Sequence, residues 1–258
     1  TSRSTGRVVF RVASNSDCQP DKLLIPNWRG KVLYQHGLHH TDLVLAQSEA
    51  QQRLLEQNYQ RSSVVVPSLV ELADDSLPLA RRDLDALWVG NLRRVKRPDL
   101  ALDLAEAAPE LQLHVIGGTQ PGEEPYHEEC RTRAALIANV HFHGLQPLAT
   151  VNERMARARV HVNTSDIEGF PNTYLQAWAR GTPVVAFFDP DGVVARERLG
   201  LIVRTLPEMR DAIAQLRGDA SLWQALSDNA RRYVEARHGE PAVDRYVAAM
   251  EPLWQAAP

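Results

Sequence analysis

One stretch of the sequence, residues 160–188, constrains the fold more than any other. It runs from a short apolar segment through a polar loop and a helix-forming segment to Gly181, and then to a second apolar segment at residues 183–188. This order predicts a strand, a loop, a helix, a stop and a new strand. Such a loop lies at the carboxyl edge of a parallel sheet, where open α/β folds bind their ligands.

The start of the predicted helix offers a site for an anion. Pro171 is expected at the first helical position, where a missing N–H has no consequence, and Gly181 is expected to end the helix. The backbone N–H groups of Asn172 and Thr173 then have no partner within the helix, and the helix dipole adds partial positive charge beside them. We therefore predict that a phosphate group binds at this helix start.

Two kinds of polar side chain accompany the anion site. Glu168 comes just before the positive end of the helix. Asn172 and Gln176 are four residues apart and so share one face of the helix. The same stretch therefore combines an anion site, a carboxylate and amide groups.

The run 168–172, Glu-Gly-Phe-Pro-Asn, followed by an apolar helix and the run 181–185, Gly-Thr-Pro-Val-Val, resembles the donor-site motif of family-four glycosyltransferases, which are retaining enzymes of the GT-B fold. The resemblance implies that Glu168 contacts the hydroxyl groups of the donor sugar and that the helix start holds the diphosphate. In that family a second glutamate follows after seven residues and bonds the nucleotide ribose. Here that position is Gln176, whose uncharged amide still has both a donor and an acceptor.

A second loop carries four cations within the five residues 93–97. One interpretation is a solvated basic turn. However, the loop follows a predicted strand of the same sheet, and it resembles the donor-phosphate loop of the family, in which an arginine and a later lysine neutralise the leaving diphosphate. Lys96 matches that lysine. The arginine position falls on Asn91, so the guanidinium must come from Arg93 or Arg94, or be absent.

The order of predicted elements gives the fold class and the domains. These elements include a helix at residues 31–40, a strand at residues 43–46, a linker segment at residues 68–82 and a helix at residues 98–107. Repeated βα units predict a doubly wound, Rossmann-like parallel sheet. The resemblance to the glycosyltransferase family further implies a GT-B type α/β fold in which a second α/β domain is truncated. Residues 1–75 are assigned to the remainder of an N-terminal acceptor-side domain and a linker, and residues 76–238 to the domain that binds the nucleotide sugar. Residues 239–258 are expected to form a helix that packs back toward the first domain.

Composition narrows the possible partners and the location. The chain has 258 residues, 44% of them apolar, and a net charge of −3, so no overall basic field favours nucleic acid or an anionic membrane surface. Cys18 and Cys130 form no metal-ligand pair, which favours a reducing compartment, the cytoplasm. No run is long and apolar enough to span a membrane. Because the first residue is Thr1 and a buried strand is predicted at once, we expect a fragment of a longer protein.

Several patterns that bind metals or dinucleotides occur in incomplete form. His36 and His40 have the spacing of a zinc pair, but no third ligand is evident. Asp-x-Asp occurs twice, once before a strand and once in a turn. A glycine pair at residues 117–118 falls short of the dinucleotide-binding pattern. We therefore expect no metal and no cofactor.

These observations together predict a retaining glycosyltransferase. It would move a sugar from a UDP- or GDP-linked donor to a saccharide or lipid-linked acceptor without a metal, and this chain alone would bind the donor but transfer poorly. Any peripheral membrane contact would come through the part of the acceptor domain outside the chain. The alternatives are a sugar-nucleotide epimerase of the same fold and a binding module without catalysis. Glu168 and Lys96 are the predicted catalytic residues, and the predicted donor-binding residues are Asn91, Arg94, Gly169, Phe170, Pro171, Asn172, Thr173 and Gln176.

Overall fold

Parallel strands build both sheets of the protein. The computed structural model describes residues 6–72 and 76–255. The chain forms a first unit, Thr1–Leu69 with Ile167–Phe170 and Arg237–Pro258, and a second unit, Val70–Asp166 with Pro171–Ala236. Every strand pair of the described residues is parallel, which confirms the predicted α/β fold. The predicted division into acceptor domain, donor domain and C-terminal helix stays a prediction, and residues 73–75 of its linker lie outside the described residues.

The first unit contains a three-stranded sheet in the order β1-β2-β3. Phe10 of β1 and Val12, which follows the strand, join an apolar cluster with Leu38, Val44 and Leu55. Residues alternate between the two faces of a strand, so Arg11 lies on the opposite face of this sheet. The elements of the unit are β1 (Val9–Arg11), α1 (Trp28–His40), β2 (Leu43–Ala46), α2 (Glu49–Tyr59), β3 (Val64–Val65) and α10 (Glu240–Gln255).

The second unit contains a six-stranded sheet in the order β6-β5-β4-β7-β8-β9. β4 is Leu84–Val89, β5 Leu113–Ile116, β6 Val140–Phe142, β7 Ala158–Asn163, β8 Val184–Ala186 and β9 Gly200–Ile202. The helices are α3 (Pro98–Ala107), α4 (Glu124–Ala134), α5 (Leu148–Arg157), α6 (Asn172–Ala179), α7 (Val193–Arg196), α8 (Leu206–Gly218) and α9 (Ala220–His238), the last of which extends into the first unit. No helix of the described residues is both long enough and apolar enough to cross a membrane.

The central strands β4 and β7 form the core of the second unit. Ala86 and Trp88 of β4 are buried together with Val160 and Val162 of β7, and the two strands are neighbours, with Trp88 opposite Val162. A fully buried pair of parallel strands is expected to read as an apolar run rather than as an alternation. This burial fixes the positions at which β4 and β7 end and their loops begin.

A buried arginine, Arg82, holds the segments at the start of this sheet together. Its side chain is 1% exposed and donates to the carbonyl oxygens of Ala158 at 2.7 Å and Arg180 at 2.6 Å and to Thr182 Oγ1 at 2.7 Å. Its guanidinium also lies over the ring of Trp223, 4.7 Å from the centroid. These acceptors compensate the cost of removing the cation from water.

The predicted elements agree with the structure in type and largely in extent. Helix α1, however, starts at Trp28 rather than at residue 31, because Asn27 Oδ1 accepts a hydrogen bond from Gly30 N at 2.6 Å and caps the helix earlier. The predicted linker at residues 68–82 also contains a short 3₁₀ turn, Leu79–Arg81.

Candidate functional site

Two loops lie side by side at the carboxyl edge of the second unit's sheet. One follows β4 and carries the cations of residues 93–97, and the other follows β7 and leads toward α6. Because β4 and β7 are adjacent and parallel, their loops leave the sheet at the same edge. In open α/β sheets this edge is the usual place for a ligand.

Thr164 joins the two loops. Its Oγ1 lies 2.7 Å from the carbonyl oxygen of Arg97 and 3.0 Å from that of Lys96, and it accepts a hydrogen bond from Trp88 Nε1 at 3.0 Å. A second bond runs from the backbone N–H of Asp166 to the carbonyl oxygen of Val95 at 3.0 Å. The structure therefore brings the cationic loop together with residues 164–166, the first part of the loop before α6, within the second unit.

The cations of the first loop have different surroundings. Arg97 has a φ of 49° and pairs with Asp99 at 2.9 Å. Arg94 lies over the ring of Tyr126, 4.6 Å from its centroid, where a cation is stabilised by the aromatic face. Tyr126 in turn donates to Asp99 Oδ1 at 2.6 Å. Burial alone would raise the pKa of Asp99, but the hydrogen bonds from Arg97 and Tyr126 outweigh it and lower this pKa.

Lys96, Arg93 and Asn91 differ in exposure. Lys96 and Arg93 are half-buried, and Lys96 N donates to the carbonyl oxygen of Arg93 at 2.9 Å inside a short 3₁₀ turn. Asn91, at the position where the family has an arginine, is exposed. With Arg97 paired to Asp99, the loop presents Arg93, Arg94 and Lys96 as its other cations.

Helix α6 begins one residue later than predicted. Pro171 is not the first helical residue but the residue before it, because its ψ of 119° is extended. Its carbonyl oxygen accepts from Tyr174 N at 3.0 Å. No hydrogen bond of the described residues uses the backbone N–H groups of Asn172 and Thr173. The helix start therefore keeps the two donors on which the predicted anion site depends.

The rest of α6 is fixed firmly to the sheet. Trp178 Nε1 donates to the carbonyl oxygen of Leu199 at 3.1 Å, and Tyr174 donates to that of Phe188 at 2.9 Å. After the helix, Gly181 has a φ of +64°, the left-handed conformation typical of a residue that follows a helix end. Gln176 is half-buried on this fixed helix.

The structure places Glu168, Gly169 and Phe170 with the first unit. Glu168 is 8% exposed, and the ring of Phe170 lies 5.2 Å from that of His238. A Cβ added to Gly169 would lie 2.6 Å from the carbonyl oxygen of Ala13, so this position has no room for a side chain. The roles predicted for these three residues in donor binding stay predictions.

A buried histidine of β7, His161, was not anticipated from the sequence. It is completely buried, and its Nδ1 lies 2.9 Å from the carbonyl oxygen of Leu87. Burial lowers the pKa of His161 to about 4, so the ring is neutral at pH 7. Its Nε2 has no hydrogen-bond partner among the described residues. A single histidine within an apolar strand gives no sequence pattern from which its burial and neutral state could be predicted.

Side chains of the incomplete metal-binding patterns contact other residues in the structure. Asp83 pairs with Arg157 at 2.6 Å, and Asp85 pairs with Arg159 at 2.8 Å. The rings of His36 and His40 stack 3.9 Å apart. Within the described ranges, no group of three or more acidic, histidine or cysteine side chains is arranged to hold a metal ion.

Two characterised glycosyltransferases are similar in sequence. A D-inositol 3-phosphate glycosyltransferase from Geodermatophilus obscurus is 30% identical over 253 residues, which cover 87% of this chain and 56% of that protein. A lipopolysaccharide 1,6-galactosyltransferase from Salmonella typhimurium is 32% identical over 133 residues, which cover 47% of this chain and 35% of that protein. The chain thus spans 56% or less of the length of these relatives.

Solved structures confirm the fold. Sucrose-phosphate synthase from Thermosynechococcus elongatus matches with a TM-score of 0.78 at 20% identity, over 97% of this chain and 68% of that chain. The Anabaena protein HepE, crystallised with UDP and glucose, matches with a TM-score of 0.76 at 19% identity, over 96% of this chain and 71% of that chain. The GT-B fold predicted from the sequence is therefore confirmed.

A family model provides the assignment. The model described as "Glycosyl transferases group 1" matches residues 83–219, more than half of the chain. This range contains the six strands of the second unit, the cationic loop and α6. The chain belongs to the group 1 glycosyl transferases.

Proposed function

We propose that the protein binds a nucleoside diphosphate sugar, with the diphosphate held by the second unit, and that it transfers this sugar with retention and without a metal. The observation that carries the proposal is the pair of loops joined by Thr164. It sets the cations of residues 93–97 and the loop before α6 at one sheet edge. A diphosphate is the ligand that suits cations and unpaired backbone N–H groups together.

The same arrangement suits the chemistry of donor cleavage. As the bond between the sugar carbon and the diphosphate oxygen breaks, negative charge grows on the leaving diphosphate. Lys96, with Arg93 or Arg94, would neutralise that charge, and the N–H groups of Asn172 and Thr173 would donate to it. Groups already held in place stabilise the transition state without reorganising, and the loss of one such donor typically costs about 2.7–4 kcal/mol.

The rest of the donor is assigned to residues on either side of the helix start. We propose that Glu168 contacts the sugar hydroxyls and the positive charge that develops on the sugar carbon, with Gly169 and Phe170 shaping that position. Gln176 would bond the nucleotide ribose through its neutral amide. The amide oxygen can accept a hydrogen bond from a ribose hydroxyl, and the amide N–H groups can donate to a hydroxyl oxygen. Asn91 would lie beside the phosphates as a neutral donor.

The names of similar proteins support the choice of substrates. HepE was solved with UDP and glucose, which favours UDP over GDP as the nucleotide here. One sequence relative acts on D-inositol 3-phosphate and the other on lipopolysaccharide, according to their names. We therefore propose a saccharide or lipid-linked acceptor and a role in the synthesis of polysaccharides or glycolipids.

We propose the cytoplasm as the place of action. Cys18 and Cys130 are both free and both buried. Burial raises the pKa of Cys18 to about 12 and also raises that of Cys130, so both remain thiols at neutral pH. Two unpaired thiols are typical of a reducing compartment.

Calorimetric titration of the 258-residue chain with UDP, GDP, ADP and the matching nucleosides tests the proposal. One diphosphate is expected to bind well, its nucleoside much more weakly, and a chelator should leave the binding unchanged. The anomeric configuration of the product, followed by NMR, tests retention. If no nucleoside diphosphate binds, or if binding requires a divalent ion, the proposed donor site is wrong.

A further inference from the structure

At the carboxyl edge of the first unit's sheet, Arg11 has no acidic partner within the part of the chain that the structure describes. Arg11 ends β1 on the face opposite the apolar cluster of Phe10 and Val12, and it is half-buried. Among the described residues its guanidinium makes one hydrogen bond, from Nη2 to Ser68 Oγ at 2.6 Å. Its Nε is buried and has no acceptor in that part of the chain. A partly buried cation normally has a counter-ion, because removing its charge from water is costly.

A second donor without an acceptor lies in the same group of side chains. Gln51 is completely buried, and its Oε1 accepts from Gln47 N at 2.8 Å. Its Nε2, however, has no partner among the described residues. Gln47 connects the two donors. Its backbone N–H donates to Gln51 Oε1, and its own Oε1 lies 3.5 Å from Ser68 Oγ, the atom that accepts from Arg11.

Both unpaired groups are therefore hydrogen-bond donors. Arg11 Nε and Gln51 Nε2 both lack acceptors among the described residues, and an unpaired buried donor typically costs about 1–3 kcal/mol. Ser68 Oγ fixes one end of the Arg11 guanidinium, so its other N–H groups are held in a defined direction. A planar guanidinium with free donors matches the oxygens of a phosphate or carboxylate.

We propose that Arg11 binds an anionic group, a phosphate or carboxylate, carried by the acceptor. This rests on the proposed function and on the expectation from the sequence that the N-terminal residues belong to the acceptor side. Gln51 Nε2 contributes a neutral donor to the same polar group of side chains. The acceptor is accordingly an acidic saccharide or a phosphorylated one, and a neutral sugar would leave Arg11 without its counter-ion.

Inorganic phosphate is a suitable probe for this site. The chain is first saturated with the nucleoside diphosphate that binds best, and phosphate is then titrated while the arginine Nε–H signals are followed by NMR. The Arg11 signal, identified by its absence in Arg11→Lys, should shift in a saturable way. Arg11→Gln should weaken phosphate binding about tenfold or more, while Arg53→Gln, an exposed arginine on α2, should leave it unchanged.

The outcomes separate this inference from the proposed function. An Arg11 signal that phosphate does not move would overturn the inference and indicate an ordered water in place of the anion, even if nucleotide binding is normal. A phosphate shift that appears only in the absence of the nucleotide would assign the anion to the donor and overturn it as well. Failure of every nucleotide to bind, with a normal phosphate response at Arg11, would contradict the proposed donor site alone.

Discussion

The hydroxyl of Thr164 lies 2.7 Å from the carbonyl oxygen of Arg97 and holds the cationic loop against the loop that leads to α6. The contact joins segments that are 67 residues apart in sequence. The position of the cations relative to the loop before α6 therefore depends in part on a neutral hydroxyl group, although the proposed chemistry depends on charge.

Thr164→Val tests this dependence, because it keeps the shape of the side chain and removes the hydroxyl. The buried indole N–H of Trp88 then loses its acceptor, so the free energy of unfolding should fall by about 1–3 kcal/mol. Affinity for a nucleoside diphosphate should fall as well, since the loop keeps the backbone bond from Asp166 to Val95 but loses its contacts with the Thr164 hydroxyl. Urea denaturation and calorimetry measure the two effects, with Thr132→Val on the exposed face of α4 as the control. Unchanged affinity would show that the loop keeps its position without Thr164.

Lys96→Ala should weaken the binding of a nucleoside diphosphate more than that of the nucleoside. A charge-assisted hydrogen bond to phosphate contributes about 1.5–3 kcal/mol, and the nucleoside has no phosphate to lose. Calorimetry with both ligands gives the difference directly. Lys31→Ala, on α1 of the first unit, removes the same charge elsewhere and should affect neither ligand. Equal losses for both ligands at Lys96 would identify it as a structural residue.

Glu168→Gln should leave nucleotide affinity nearly intact and reduce sugar turnover, if the carboxylate acts on the sugar. The competing explanation is a purely electrostatic role near the start of α6, where loss of the charge would cost roughly 0.3–1 kcal/mol of stability. Donor consumption and the melting temperature separate the two explanations. Full turnover with a lowered melting temperature would remove Glu168 from the mechanism.

The free energy of unfolding should decrease as the pH falls, in part because of His161. Its pKa is lowered from 6.5 to about 4 in the folded protein, so below pH 6.5 the unfolded chain binds a proton that the folded chain does not. The effect is small at pH 7, grows as the pH falls through 6.5 and amounts to about 2 kcal/mol of lost stability at pH 5. His161→Leu should therefore reduce the difference in stability between pH 7 and pH 5.

Part of this pH dependence should survive in the His161→Leu variant. Burial also lowers the pKa values of His114 and His238 to about 4. The exposed His39 serves as the control, and His39→Gln should keep the full difference. If His161→Leu keeps it as well, His161 is protonated in the folded state and its assigned burial is wrong.

Gly169→Ala should destabilise the first unit by roughly 1–3 kcal/mol. Its new Cβ would lie 2.6 Å from the carbonyl oxygen of Ala13 and 2.9 Å from Gln51 Nε2. Gly37→Ala is the matched control, because Gly37 lies in α1 and a Cβ there would contact nothing within 4 Å. That change should stabilise by roughly 0.5–1 kcal/mol. Thermal unfolding of both variants measures the contrast.

Local signals in the sequence account for what could be predicted. The apolar run of β2 and the proline at the start of α3 predicted the bounds of these two elements to the residue. Periodicity and capping depend on near neighbours in the sequence, so they can be recognised without the structure. The start of α6 was predicted by the same means, whereas the cationic loop was identified from its charges and from its resemblance to the family's phosphate loop. Pro171 was misplaced by one residue because a proline suits both positions at a helix start.

Long-range contacts account for what could not be predicted. Thr164 and His161 gain their significance from partners more than 60 residues away, and nothing next to them in the sequence indicates those partners. Arg82 was assigned to a polar linker because a buried arginine and a surface arginine look alike in sequence. The packing of Gly169 against Ala13 likewise depends on residues distant in the chain.

The contacts of Arg82 have a consequence for how the second unit folds. Its partners Ala158, Arg180 and Thr182 are 76, 98 and 100 residues away, so long loops must close before they can meet. Contacts of such high order form slowly. Until they form, the guanidinium has few buried acceptors, and we expect the start of β4 to stay exposed to water. We therefore expect the burial of this strand to depend on the end of α6, 98 residues later, so that a nascent chain without α6 would leave the start of its central strand exposed.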